Sequence, residues 1–212
     1  MSPRRVRVGI VDSGVNVRDP QVVSVEGGVG IRFREGRVER DAAWEDRLGH
    51  GTAVAATIRG HAPEASLYSI RVFHRALEAH FEAILDAIEW AADERLDLLN
   101  LSLGCPNREE EFDAACARAR ERGLAIVCAG GAGSACLAVA ADYALEDDTI
   151  RFDGRVFQAS PWARPRGALP RERNFHGTSF AVAHVSGIAA RILSEGERSL
   201  GEALARIASG RS

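Results

Sequence analysis

Three short stretches of this chain carry side chains that together could perform nucleophilic acyl transfer. Val11-Asp12-Ser13-Gly14 ends an apolar run with a carboxylate. Gly49-His50-Gly51-Thr52 flanks an imidazole with glycines at the head of a helical Ala/Val run. Gly177-Thr178-Ser179-Phe180-Ala181 places a hydroxyl where another helix opens. A serine there has its hydroxyl and backbone N–H at the positive end of the helix dipole, which suits an anionic tetrahedral intermediate. A histidine would take the serine proton, and an aspartate would hold the imidazole and balance its charge. Taken singly, each stretch has a plainer reading. Asp-Ser-Gly is a turn, Gly-His-Gly an exposed loop, and Ser179 a helix cap.

The basic complement narrows the chemistry. All 27 basic residues are arginine, so no Schiff-base lysine and no phosphate-loop lysine is available. A serine–lysine dyad is excluded for the same reason. The 30 acidic residues give a net charge of −3, so no global field favours nucleic acid. With 212 residues and 46% apolar content, the chain is expected to form a single domain over 1–212. No stretch approaches the ~20 apolar residues of a membrane span. The basic N-terminus has no apolar segment behind it, so no signal peptide is expected. The four cysteines lack Cys-x-x-Cys spacing. That pattern fits free thiols in a reducing cytoplasm and neither a metal site nor a cofactor.

These residues need elements to position them. Val6 to Val11 and the alternating stretch Ser66 to Phe73 read as strands, and Leu98 to Leu103 and Leu124 to Cys128 as buried strands. Ile31-Arg32-Phe33 before Gly36, and Ile150-Arg151-Phe152 before Asp153-Gly154, read as hairpin arms. The Asp-Gly pair favours a tight type I′ turn. Leu77 to Ala92 recurs at helical spacing. Asn107 with Glu110, and Ser199 with Glu202, read as capping boxes. Gly123 stops the helix that Asn107 would start. Ser179 to Leu193 reads as a helix, and Gly27-Gly28-Val29-Gly30 as a bend. Alternating strands and helices predict an α/β fold, a mainly parallel sheet with helices on both faces. Such sheets carry their sites beyond the carboxyl ends of the strands, where Asp12, Gly104 and Gly130-Gly131 fall. His61, His74, His80, His176 and His184 are expected to be core or surface residues.

The stretches around Asp12, His50 and Ser179 resemble the motifs of the subtilisin-like serine proteases, the subtilases. Val8 to Gly14 is similar to the aspartate motif, His50 to Ala55 to the histidine motif, and Gly177 to Ala181 to the serine motif. The order Asp, His, Ser is the subtilisin order. Ala62 to Tyr68 resembles the strand entry after the histidine helix. Asn100 to Gly104 resembles the strand that pairs with substrate backbone. The resemblance spans residues 6 to 187. It implies a serine endopeptidase with Asp12, His50 and Ser179 catalytic, working through an acyl-enzyme on a peptide or protein substrate. It also implies substrate binding by Ser102, Leu103 and Gly104, and a contribution from Thr178 to the oxyanion hole.

Several positions depart from the family pattern. Where subtilases place an oxyanion asparagine after Ala129-Gly130, this chain has Gly131; a shifted register and a distant amide such as Asn174 are the alternative donors. Ala183 stands in place of the usual proline. The chain is also short, with a clipped Ile58–Pro63 connection and no segment for a propeptide, so a compact form without signal peptide or propeptide is expected. These departures motivate an alternative, a degenerate subtilase that binds peptides without cleaving them. Arg164, Arg166, Arg171 and Arg173 precede the serine motif and are expected to meet an acidic substrate segment rather than nucleic acid or membrane.

Overall fold

The computed structural model describes residues 5–103, 108–130, 135–165, 170–197 and 199–210. The strands are β1 (Arg7–Asp12), β2 (Gly27–Arg34), β3 (Arg37–Asp41), β4 (Ser66–Arg71), β5 (Leu98–Leu101), β6 (Ala125–Ala129), β7 (Leu137–Ala141), β8 (Ile150–Phe152) and β9 (Phe157–Ala159). The helices are α1 (His50–His61), α2 (Phe81–Asp93), α3 (Glu109–Glu121), α4 (Thr178–Ser194) and α5 (Leu200–Ala208). Among the described residues the strands form one sheet, ordered β3-β2-β4-β1-β5-β6-β7-β9-β8. Only the edge strands β3 and β8 run antiparallel to their neighbours. The expected α/β architecture is therefore present.

The central strands bury apolar side chains on both faces because both faces are covered. Ile10, Leu67 and Leu98 point into a core shared with Val54 of α1, Val182 of α4 and Leu204 of α5. Val11, Ile70 and Leu99 point the other way, toward Ile88 of α2 and Phe112 of α3. Burying one such side chain contributes about 1.5–3 kcal/mol, and their alternation along each strand fixes the register. Gly187 lets α4 approach α1 closely, since a Cβ there would lie 2.8 Å from the His61 Cβ. Buried Arg59 ties α1 to the neighbouring loops by donating to the carbonyls of Val22 (2.9 Å), Ser24 (2.9 Å) and Pro63 (2.8 Å). No helix among the described residues is long and apolar enough to cross a membrane.

The structure corrects several local expectations. Gly27 to Gly30 is not a bend but the first half of β2. A Cβ at Gly28 would sit 2.3 Å from the Ser69 carbonyl oxygen, and one at Gly30 2.3 Å from Asp41 Oδ1, so the glycines serve close strand packing. The Asp153-Gly154 pair does not make a two-residue turn: Phe152 pairs with Phe157, leaving 153–156 as the connection. Asp153 Oδ1 instead accepts from the N–H groups of Arg155 (2.9 Å) and Val156 (2.8 Å), an Asx turn. The tight turn lies at Glu35-Gly36, both at positive φ. Helix α2 begins at Phe81, so Leu77 precedes it and is exposed. Arg108 is the residue before α3, which moves Glu110 out of capping-box register; Asn107 lies outside the described residues. Ser199 does precede α5, but its side chain makes no capping bond. Gly123 ends α3 as expected. It donates to the Arg120 carbonyl (2.9 Å) while Leu124 donates to that of Ala119 (3.1 Å), a Schellman closure. Strands β7 and β9 were not read from the sequence, being short and weakly patterned.

Candidate active site

The carboxyl edge of the sheet gathers the three predicted residues. Asp12 is the last residue of β1, His50 the first of α1, and Ser179 the second of α4. β1 lies inside the sheet between β4 and β5, and α1 and α4 pack against each other on one face. Helix starts and strand end therefore meet above the same edge.

Asp12 is fully buried, and its Oδ1 lies 2.7 Å from His50 Nδ1. The same oxygen accepts the Ser13 backbone N–H (2.7 Å), while Oδ2 is buried with no hydrogen-bond partner among the described residues. Asp12 accepts, so Nδ1 carries the hydrogen, and Nε2 is left to face a proton donor. Burial pulls the His50 pKa down. The hydrogen bond to Asp12 and the charges of Asp12 and Asp46 outweigh that pull and hold it above its ordinary 6.5. The His50 ring packs against Phe180 (centroids 5.2 Å) and stands edge-on to Phe175 (5.9 Å). Gly51 is required behind it, because a Cβ would lie 2.2 Å from the Gly14 carbonyl oxygen.

Ser179 is half-buried, in the first turn of α4, where backbone N–H groups lack intrahelical acceptors. Its hydroxyl donates to the Ser102 carbonyl oxygen (3.2 Å), and the Ser102 hydroxyl donates to the Ser179 carbonyl oxygen (3.4 Å). No hydrogen bond joins Ser179 to His50 among the described residues. Behind Ser102, Asn100 Nδ2 donates to its Oγ (2.8 Å), and Ser186 of α4 donates to Asn100 Oδ1 (3.0 Å). The end of β5 is thus stitched to α4. Thr178 opens α4 next to Ser179, and Leu103 is half-buried just beyond Ser102. Gly104 and Gly131 lie outside the described residues.

Asn174 is not free to act as a substitute oxyanion donor. Its Nδ2 donates to the carbonyls of Ala163 (3.0 Å) and Arg164 (3.1 Å). Of the arginines ahead of the serine motif, Arg171 pairs with Asp147 (2.9 Å) and lies over the Trp162 ring. Arg164 and Arg173 are exposed, and Arg166 lies outside the described residues. Among the described residues no group of His, Cys, Asp and Glu side chains is arranged to hold a metal. The sequence reading missed Asp46, whose contacts appear only in three dimensions. The one hint was that Gly49, just before α1, offers no capping side chain.

A protein-family model described as the subtilase family matches residues 4–151. The chain belongs to the subtilase family. It is 30% identical to subtilisin DY of Bacillus licheniformis, across 90% of this chain and 77% of that protein. It is 28% identical to M-protease of Shouchella clausii (strain KSM-K16) and to subtilisin E of Bacillus subtilis (strain 168). The chain spans about half the length of those two, 53% and 56%. A solved structure titled as a cold adapted subtilisin-like serine proteinase superposes with a TM-score of 0.67 at 23% identity, covering 90% of this chain and 76% of that one. At that identity the likeness concerns the fold. Subtilase membership supports a serine peptidase.

Proposed function

We propose that this subtilase is a serine endopeptidase acting on peptide or protein substrates through Asp12, His50 and Ser179. The observation that carries this reading is the 2.7 Å bond between His50 Nδ1 and the fully buried Asp12 carboxylate. It presents Nε2 as the base. The Ser179 hydroxyl swings from the Ser102 carbonyl onto Nε2, gives up its proton and attacks the substrate carbonyl carbon; catalytic hydrogen bonds often tighten only with substrate bound. The tetrahedral oxyanion receives the Ser179 backbone N–H and the Thr178 hydroxyl. Imidazolium returns the proton to the leaving amine, and water then hydrolyses the acyl-enzyme by the same route. The Ser102–Gly104 segment is the candidate partner for substrate backbone.

A fluorophosphonate probe tests this. Covalent labelling should fall on Ser179 and vanish in Ser179→Ala, together with peptide cleavage. A second reading, a peptide-binding subtilase without turnover, draws on the Ser179 hydroxyl resting on the Ser102 carbonyl and on Gly131 in place of asparagine. Folded protein that binds peptide but leaves Ser179 unlabelled would decide for that second reading.

A further inference from the structure

The connection between β3 and α1 holds an aspartate that this mechanism leaves unused. Asp46 is half-buried. Its Oδ1 accepts the Ser13 hydroxyl (2.8 Å) and the backbone N–H groups of Leu48 (2.8 Å) and Gly49 (2.9 Å). Its Oδ2 accepts the Thr52 N–H (2.9 Å) and the Thr52 hydroxyl. A carboxylate offers about four lone-pair sites, so this one is saturated.

Both hydroxyls pass the connection onward. Ser13 Oγ accepts the Gly51 N–H (2.9 Å), and Thr52 Oγ1 accepts the Asn16 N–H (3.0 Å). The residue after Asp12 and the residues on either side of His50 thus converge on one side chain. Helix α1 has no capping side chain at Gly49 and no acidic residue in its first turn. Asp46 supplies both the acceptor and the negative charge from outside the helix.

We propose that Asp46 is a positioning residue for the Asp12–His50 pair, clamping the turn after β1 to the first turn of α1 and setting the charge around the imidazole. The inference rests on the catalytic reading of that pair. The charges that act on His50 come from Asp12 on β1 and Asp46 on the connection. The rings of Phe175 and Phe180, packed against it, are neutral. Removing the Asp46 charge therefore makes imidazolium less favourable, and His50 should titrate at lower pH.

The experiment follows the His50 Cε1–H resonance against pH, assigned with His50→Gln, in wild type, Asp46→Asn and Asp46→Glu. Turnover is measured in parallel. Asp46→Asn should move the titration to lower pH and reduce kcat by roughly 10–100-fold, the range a small misplacement of catalytic groups produces. KM should stay within about twofold if the loss is one of orientation, and Asp46→Glu should restore part of the titration shift. An unchanged titration and unchanged kcat in folded Asp46→Asn would overturn the proposal. Should that variant not fold, the Ser13→Ala/Thr52→Val double variant keeps the charge and removes the two hydroxyl links. It should lose kcat while His50 titrates as in wild type; wild-type kcat there would overturn the clamp. The NMR titration does not depend on turnover. A wild-type protein that leaves Ser179 unlabelled would therefore sink the catalytic reading while the test of Asp46 still runs.

Discussion

His61 and His184 meet where α1 crosses α4. His184 Nε2 donates to the Trp162 carbonyl (2.8 Å), which leaves its Nδ1 to accept from His61 Nε2 at 2.8 Å. Burial pushes both pKa values down, and repulsion between the two rings adds to the effect on His61, which falls to about 4. The sign of the consequence is set by proton uptake. Above pH 6.5 His61 is neutral whether folded or unfolded. Between 6.5 and about 4 only the unfolded chain takes up the proton, so stability is lost as pH falls. The loss is on the order of 3 kcal/mol by pH 4. Urea unfolding at pH 7 and pH 4 should show His61→Gln losing that much less than wild type. Equal losses would place the acid sensitivity elsewhere. His50 has the opposite sign. Its raised pKa stabilises the fold below pH 6.5, and that contribution fades as pH rises through the folded pKa. The direction of each shift was not legible in sequence, because burial and partner decide it and neither is written in the neighbouring residues.

At the scale of elements, the glycines near the site separate into those that hold backbones together and those that merely turn. A Cβ at Gly28 would meet the Ser69 carbonyl oxygen at 2.3 Å, and one at Gly51 the Gly14 carbonyl oxygen at 2.2 Å. Backbone acceptors cannot swing aside, so the strand or helix must shift. Gly27 faces open space. Gly28→Ala and Gly51→Ala should each cost about 1–3 kcal/mol or more, whereas Gly27→Ala should stay within about 0.5 kcal/mol. Chemical denaturation of the three variants checks this, and equal stability for Gly27→Ala and Gly28→Ala would contradict the β2–β4 packing. Gly51→Ala should also lower activity, since it parts α1 from the turn after Asp12. The run Gly27 to Gly30 had looked like a bend because glycine is a poor strand former. Its place in β2 follows from Ser69 and Asp41, which come close only once β2 lies between β3 and β4.

For the molecule as a whole, the sheet divides the interior into two cores. Ile58 is buried on the α1–α4 side and Ile88 on the α2–α3 side. Ile58→Val and Ile88→Val should each destabilise by about 0.5–1.5 kcal/mol. Because the sheet stands between them, the double variant should match the sum within about 0.5 kcal/mol. A larger deviation in urea unfolding would mean that strain crosses the sheet. The same arrangement explains why the fold was legible. Strands covered on both faces bury apolar side chains on each, so β1, β5 and β6 stood out as short apolar runs, and β4 by its alternation around Leu67 and Ile70. Short strands such as β7 and β9 carry too few residues to show a pattern.

The sequence alone determined the α/β class, the order of the main strands and helices, and the three residues offered for chemistry. Each of these depends on local composition and on the spacing of apolar residues along the chain. Tertiary structure decided what lies far apart in sequence: the bond from Asp12 to His50, the Ser179 hydroxyl resting on Ser102, the amide of Asn174 spent on Ala163 and Arg164, and the convergence on Asp46. Hydrogen-bond partners and burial are properties of position in space. Only once β1, α1 and α4 have packed do those positions exist.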